Sequence, residues 1–416
     1  MMALISLRKL LGFTHAARRA RSRPEVRLRL EALEQRMALA TLTVGPDSND
    51  DFSTIQAAVI AAQSGDMIKV DPGIYVEQVT INNVGHSRNN LKVVGVNQNA
   101  IIKAPAVMVD DKAIVEVNGS KNVTIEKFTI QGPGGGPNNS INYGVRVDGG
   151  GSAKITNNHI TDIRDNPLSG NQNGNAIQIG RQFEGQTGSA VITKNTIDNY
   201  QKSGIVVDNT GSSAEIAHNT IIGVGPTAIT AQNGIQISRG ATAKVRHNQV
   251  SENIYTPQTF ASTGMLLFQA GEVTVDHNSV FNNDVGIYSI DVNGGVISHN
   301  DVFANTFNGI ALDTTIGMLV SHNTTNNNGS GNDGDSGIGL YGSENNTIKH
   351  NTSNNNNGDG IFVDFGSTGN TLSHNKMKGN TPFDAEDQSV GPGTSNTANT
   401  WKKNKGKTSS PPGLVS

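Results

Sequence analysis

The sequence predicts an all-β fold: a single-stranded right-handed parallel β-helix, a solenoid of about 10 to 12 coils with three short strands per coil and an N-terminal capping helix. Three observations predict it. The 416 residues include 48 glycines and only 5% aromatic residues, too polar a composition for one large globular core but suited to a thin, repetitive one. One short phrase recurs from residue 143 onward, as YGVRV, NAIQI, SGIVV, NGIQI, TGMLL, VGIYS, NGIAL, SGIGL and DGIFV. A second apolar run follows each phrase and ends in asparagine, at Asn158, Asn195, Asn219, Asn248, Asn278, Asn300, Asn323, Asn351 and Asn375.

Residues 1–40 stand apart from the rest. They carry nine Lys and Arg against three acidic residues, a net of +6, whereas the other 376 residues carry 23 against 32, a net of −9. Arg8, Lys9 and the run from Arg18 to Arg29 are basic, and Ala38-Leu39-Ala40 has the A-x-A form of an export cleavage site. An export segment over 1–40 and a mature chain starting at Thr41 are expected. The acidic body has no basic patch for nucleic acid and no apolar run long enough to span a bilayer. The absence of cysteine excludes disulfides and thiolate sites.

The β-helix domain is expected over 41–406, with the N-terminal cap and first coils in 41–105. There the spacing predicts an amphipathic helix from Ser53 to Ala62, N-capped by Ser53, and then two strands punctuated by Asp71-Pro72-Gly73. Such a helix would shield the open end of the core. Regular repeats fill 143–380. Short apolar runs cannot bury a face alone, but stacked coil on coil they can. Asparagine tolerates the left-handed conformation of a tight turn, and copies about 4.8 Å apart can pair their amides up a ladder. The glycine before each first-strand apolar residue is expected to serve a left-handed corner in the same way. From first strand to asparagine the count is 13 or 14 residues except for one interval of 18, whereas from asparagine to the next first strand it runs from 9 to 19. Insertion is thus concentrated at one corner, where binding loops are made. Trp401 is expected to plug the last coil, and 407–416 to form a disordered tail. A monomer is expected.

The stretch DFSTIQAAVIAAQSGDMIKVDPGIYVEQVTI and the asparagine repeats resemble the pectin lyase-like superfamily over about residues 42 to 406. RLRLEALEQRMALA resembles the LEPR-XLL type of N-terminal segment on bacterial surface and secreted proteins, which implies a secreted or cell-surface location. The superfamily resemblance implies a polysaccharide ligand and a site on the outward face of the first strand, walled by the preceding loops. It does not transfer a catalytic set. The only tryptophan is Trp401, so the pectate lyase Trp-Ile-Asp-His is missing, and the polygalacturonase and alginate epimerase signatures are missing too. Asp276-His277 fills an ordinary repeat slot.

Alternation places Val145, Val147, Ile205 and Val207 inward, so Arg146, Asp148, Gln178, Val206, Asp208 and Gln236 face outward. Asp148, Gly180 and Asp208 form one column, about 9.6 Å end to end, and an inverting hydrolase needs carboxyls ~6.5 to 9.5 Å apart. The short connection at 195–205 lies between longer ones, so a groove is expected above Asp208. Asp162, Arg164 and Asp165 would form one wall, Tyr255 the other, with Arg181, Lys202 and Arg239 near the floor. Cations suit uronate carboxylates. In a hydrolase Asp208 would be the general acid, with a raised pKa, and Asp148 would activate water. In a lyase, as the resemblance implies, Arg181 or Lys202 would take the proton, with aspartates holding calcium. No other cofactor is expected. An exposed aromatic column of Phe268, Tyr288, Tyr341 and Phe362 would stack sugar rings. Seven of ten histidines, His218, His247, His277, His299, His322, His350 and His374, directly precede ladder asparagines. Recurring at the slot of Asn157 and Lys194, they read as a structural stack, and no metal site is expected. The resulting expectation is an exported carbohydrate-active or carbohydrate-binding protein, a lyase or glycoside hydrolase if catalytic, with a non-catalytic surface or adhesion solenoid as the alternative.

Overall fold

The computed structural model describes residues 39–133, 140–332 and 334–416. The export segment expected over 1–40 falls almost wholly outside them. Among the described residues, three parallel sheets run the length of the solenoid, and the chain visits each once per coil. One coil shows the pattern: Tyr143–Asp148 lies in sheet 1, Gly151–Thr156 in sheet 2 and His159–Thr161 in sheet 3. The sheets hold 13, 14 and 12 strands respectively, about 13 turns rather than 10 to 12. The first coils were undercounted because they lack the asparagine signature; Phe128 occupies that slot there, fully buried, with its N–H bonded to Asn158 Oδ1 at 3.0 Å.

Inward residues stack isoleucine on isoleucine, as in Ile155, Ile192, Ile216 and Val245, all at 0% exposure. At the corner between sheets 2 and 3 each buried asparagine receives two hydrogen bonds from the asparagine before it. Asn248 donates to Asn278 Oδ1 from its backbone N at 2.9 Å and its Nδ2 at 3.0 Å, and Asn278 passes the pattern to Asn300. The left-handed residue is not this asparagine but the one before it: Asn157, Lys194 and the seven histidines have φ between 53° and 58°. Short recurring glycines also differ from expectation. Gly204, Gly234, Gly264 and Gly286 do not have positive φ; a Cβ on any of them would meet the next coil's carbonyl oxygen at 2.5 to 2.7 Å. They are glycines because adjacent coils touch there.

Five residues beyond each of six ladder positions a second buried asparagine repeats the arrangement at the corner between sheets 3 and 1. Asn253, Asn283, Asn305, Asn328, Asn356 and Asn380 bond in series.

The ends are closed. Helix α1 spans Ile55–Ala61 rather than Ser53 to Ala62 and is N-capped by Thr54 instead of Ser53, while the Glu77 carboxylate accepts from the Ile55 and Gln56 N–H groups at 2.9 Å. Its Ile55, Ala58 and Val59 cover the first coil. Buried Arg88 takes the helix's terminal carbonyls, its Nε donating to Val59 O. At the other end Trp401 is 5% exposed, with Nε1 donating to Asp387 Oδ2 at 2.8 Å. The tail expected to be disordered folds over it. Ser409–Ser410 adds the last strand of sheet 1 and Leu414 is buried at 2%, because Leu414 and Val415 supply apolar surface that the final coil needs.

Candidate functional site

Sheet 1 carries the outward residues singled out from the sequence, in register. Glu116, Arg146, Gln178, Val206 and Gln236 form one column. Two residues further along the strands, Asp148 stands in line with Asn118 and Asp208 in line with Ser238, while the pairing of both their strands with the one between them ends at Ile179, one residue before Gly180. These side chains point away from the core yet most are buried, Arg146 at 2%, Asp148 at 1%, Gln178 at 2% and Asp208 at 3% exposure, because loops lie over them.

The decisive loop is Arg181–Thr187, the insertion behind the single interval of 18. Arg181 pairs with Gln186 in an antiparallel bridge, and a 3-10 turn spans Gln182–Glu184. It springs from Gly180 at φ 65°, where a Cβ would lie 2.0 Å from Ser212 Oγ. The loop divides the expected groove into two compartments.

On one side lies a charge cluster, with Arg146 and Asp148 buried and Asp111 and Glu184 exposed at its rim. Arg146 Nε is 2.6 Å from Asp148 Oδ2, its Nη1 is 3.3 Å from Asp111 Oδ1, and its Nη2 bonds Glu184. Half-buried Glu116 is pushed up to about 7, chiefly by desolvation and then by Asp148 and Asp111. Desolvation also raises Asp148. Asp111, Glu116 and Asp148 present oxygens within 4.8 Å of one another, the donor type of a hard cation. The Arg146 guanidinium, however, already occupies the neutralising position between Asp111 and Asp148, so the trio does not fit calcium as it stands.

On the other side is a cleft of 270 Å³ lined by Gln178, Arg181, Lys202, Asp208, Gln236 and Arg239, together with Asn175, Ser203 and exposed Phe183. Six sequence-predicted residues therefore meet in one place. Asp208 is not placed as a free general acid. Its Oδ1 accepts from Arg239 Nη1 at 2.9 Å and Ser238 Oγ at 2.8 Å, and its Oδ2 from the Gln182 N–H at 2.9 Å. Arg181 pairs with Glu184 at 3.0 Å and donates to Tyr143 Oη. Lys202 differs: its Nζ donates to the Ala231 carbonyl at 2.7 Å, no carboxylate pairs with it among the described residues, and burial lowers its pKa. Two buried atoms on the cleft wall, Asn175 Oδ1 and Ser203 Oγ, have no hydrogen-bond partner.

Asp148 and Arg146 lie outside this cleft, so the expected Asp148–Asp208 pair is split by the loop. The expected walls also differ. Asp165 is fully buried under its own loop, accepting from Asn171 Nδ2 at 3.1 Å. Asp162 and Arg164 pair with each other at 3.5 Å, and Tyr255 packs edge-on against Phe260. The four aromatics form two columns rather than one. Tyr288 and Phe362 continue the Arg146 column, and Phe268 and Tyr341 the Asp208 column. Phe362 is only 5% exposed. Tyr288 and Tyr341 line a separate cleft of 400 Å³ with Asn308 and Asp313, and Tyr288 Oη donates to Asp313 at 2.9 Å. A larger hollow of 760 Å³ on sheet 2 is a shallow concavity lined mainly by Ser, Thr and Ala, whose Lys154, Lys244 and Glu272 are exposed. Concave shape alone does not make a site, and the sheet 1 cleft has the convergent polar groups. Glu116, Glu184, Phe183 and Tyr143 escaped the sequence reading, and the 18-residue interval was the signal for the loop residues.

Coil, corner and cleft together define a right-handed parallel β-helix protein with a loop-walled polar site on one sheet. The family model described as right handed beta helix region matches residues 76–258, 183–333 and 262–404, and the chain belongs to that family. No curated protein sequence matches it. Among solved structures it is similar to DFA-IIIase from Arthrobacter chlorophenolicus A6 without its lid in complex with GF2, at 13% identity and TM-score 0.54 over 80% of this chain and 94% of that one. It is similar to the periplasmic alginate epimerase AlgG at 12% identity and TM-score 0.52, covering 82% and 77%. Similarity to the Dettilon tailspike protein gp208 is 15% identity and TM-score 0.50, covering 87% and 68%. At these identities the likeness is one of fold. Among the described residues no helix is long and apolar enough to cross a membrane.

Proposed function

We propose that this chain is an exported carbohydrate-binding β-helix whose sheet 1 cleft holds an acidic oligosaccharide, with β-elimination as the reaction the cleft can support. One observation carries the reading: the cleft combines a carboxylate-free Lys202 with the unpaired buried atoms Asn175 Oδ1 and Ser203 Oγ. A cation suits a uronate carboxylate, and buried polar atoms without partners suit a sugar's hydroxyls. An alginate epimerase among the chains that share the fold agrees with an acidic sugar.

A depressed lysine pKa leaves more neutral amine to act as a base. Neutral Lys202 would take the proton α to the uronate carboxylate; the electron pair left behind forms the C4–C5 double bond as the C4–O bond breaks, and the departing oxygen is protonated by water. Arg181 and Arg239 flank the position where the carboxylate would sit. The two-carboxylate hydrolase is disfavoured because Asp148 lies behind the loop. No step is routed through calcium.

Purified protein incubated with a panel of acidic polysaccharides should bind one and release products that absorb in the ultraviolet through their unsaturated ends. The rate should rise with pH through the lowered Lys202 pKa and then level off, since the base is the deprotonated form. Lys202→Met should fold normally and abolish the absorbance. If the wild type binds without releasing any product, the non-catalytic surface solenoid is the better reading; the pairing of Asp208 with Arg239 and of Arg181 with Glu184 already favours it over the hydrolase. Export predicts that secreted protein begins at Thr41, and N-terminal sequencing that found Met1 intact would overturn that part.

A further inference from the structure

The corner between sheets 2 and 3, which does not border sheet 1 or its cleft, carries the seven-histidine ridge. His218, His247, His277, His299, His322, His350 and His374 are all exposed, and successive ring centroids lie 4.8 to 5.2 Å apart. Backbone geometry accounts for a residue tolerant of positive φ at each position, but Asn157 and Lys194 meet the same demand, so the corner does not require imidazole. Nor is hydrogen bonding served. Among the described residues only His277 of the seven makes a ring hydrogen bond, to Asp276 Oδ2 at 2.8 Å. The other six rings make no hydrogen bond among the described residues and belong to exposed residues.

We infer that this ridge is a one-dimensional metal-binding array, in which pairs of imidazoles on adjacent coils chelate a d-block divalent cation such as Ni²⁺, Cu²⁺ or Zn²⁺. Neutral imidazole is a preferred ligand of these ions, with nitrogen-to-metal distances of ~2.0 to 2.1 Å for zinc. Two rings must therefore swing their nitrogen edges together from the stacked arrangement. Their exposure permits this, and His247 and His277 already depart from parallel by 31°. The ridge is flanked by Arg246, Asp276, Lys349 and Lys402 on the sheet 2 side and by Asp301 and Lys376 on the sheet 3 side. His322 is held below the usual imidazole range by partial desolvation and by His299, His350 and Lys349, which favours the neutral, ligating form near pH 7. Alternate pairs along seven rings give up to three bidentate sites. Because they face away from the cleft, this inference stands or falls separately from the polysaccharide reading.

The test removes the same number of histidines in two patterns from the untagged full-length chain. His247→Asn/His299→Asn/His350→Asn leaves four imidazoles with no neighbour on an adjacent coil. His322→Asn/His350→Asn/His374→Asn leaves four in unbroken succession. Asparagine already occupies the slot at Asn157, so both variants should fold, and unchanged thermal midpoints would verify it. Calorimetric titration with NiCl₂ at pH 7.5 should give more than one ion per wild-type chain. The block variant should keep wild-type affinity at lower stoichiometry, whereas the alternating variant should bind on the order of 100-fold more weakly because chelation is lost. Excess Ca²⁺ should not compete, and binding should fade as the pH falls through 6, roughly where imidazole protonates. Equal affinities in the two variants, or no binding by the wild type, would overturn the array.

Discussion

Asn278 shows how one side chain can hold three coils. At 2% exposure it accepts two hydrogen bonds from Asn248 and donates from Nδ2 to Val245 O and to Asn300 Oδ1, both at 2.9 Å. Asn278→Ala strands the Asn248 backbone N–H in a dry corner, while Asn248 Nδ2 keeps its bonds to Ile216 O and Arg246 O, and a loss of ~1 to 3 kcal/mol is expected in chemical denaturation. The cleft should be untouched; an unchanged midpoint would show that the asparagine ladder does not stabilise the stack. Glu116 gives a prediction of opposite sign. Its pKa, raised to about 7 by desolvation, means the folded state holds a proton that the unfolded state releases. The resulting stability is fully present below about pH 4.5 and is lost as the pH rises through 7. Glu116→Gln should therefore flatten the decline in stability between pH 5 and 8, leaving the variant more stable than wild type at pH 8 by about 1 kcal/mol once solvent screening is allowed for.

At the scale of elements, the strands were legible and the excursions were not. A strand that buries one face must alternate, so Val145, Val147, Ile205 and Val207 could be assigned inward from sequence, and each is at 0% exposure. The residues opposite them could be placed on sheet 1, but whether they meet solvent depends on what crosses above, which alternation does not encode. The Arg181–Thr187 loop decides that. It separates Asp148 from Asp208 and brings Glu184 onto Arg146, contacts set by a turn of a few residues with no periodicity to betray it. The second asparagine column was legible in principle, because each member lies five residues after a ladder asparagine, but only the first was read. Phe183 at the tip of the loop is 76% exposed, with the Arg239 guanidinium 4.8 Å from its ring centre. An aromatic ring so displayed is expected to serve a ligand rather than the fold. Phe183→Ala should weaken oligosaccharide binding about tenfold and leave the thermal midpoint unchanged; the reverse pattern would assign the ring to stability.

For the whole molecule, the energetics are those of a stack, in which each coil depends on its neighbours and the two end coils depend on their covers. Truncation after residue 406 removes Ser409–Ser410 and Leu414 and bares the last coil beside Trp401. Such an edge offers unpaired strand backbone to another chain, so the truncated protein should elute as larger species in size-exclusion chromatography while the full chain does not. Stacking also makes the protein's length a quantity that changes only in whole steps. Asp301 and Thr324 occupy equivalent positions on successive coils, so joining Asn300 directly to Thr324 excises one complete turn and leaves both termini as they were. That deletion of residues 301–323 should fold, with small-angle scattering showing a particle shorter by ~4.8 Å. Recombination between such equivalent points would lengthen or shorten the molecule like a ruler cut at its graduations, moving the cleft nearer to or farther from one end without altering a single residue within it.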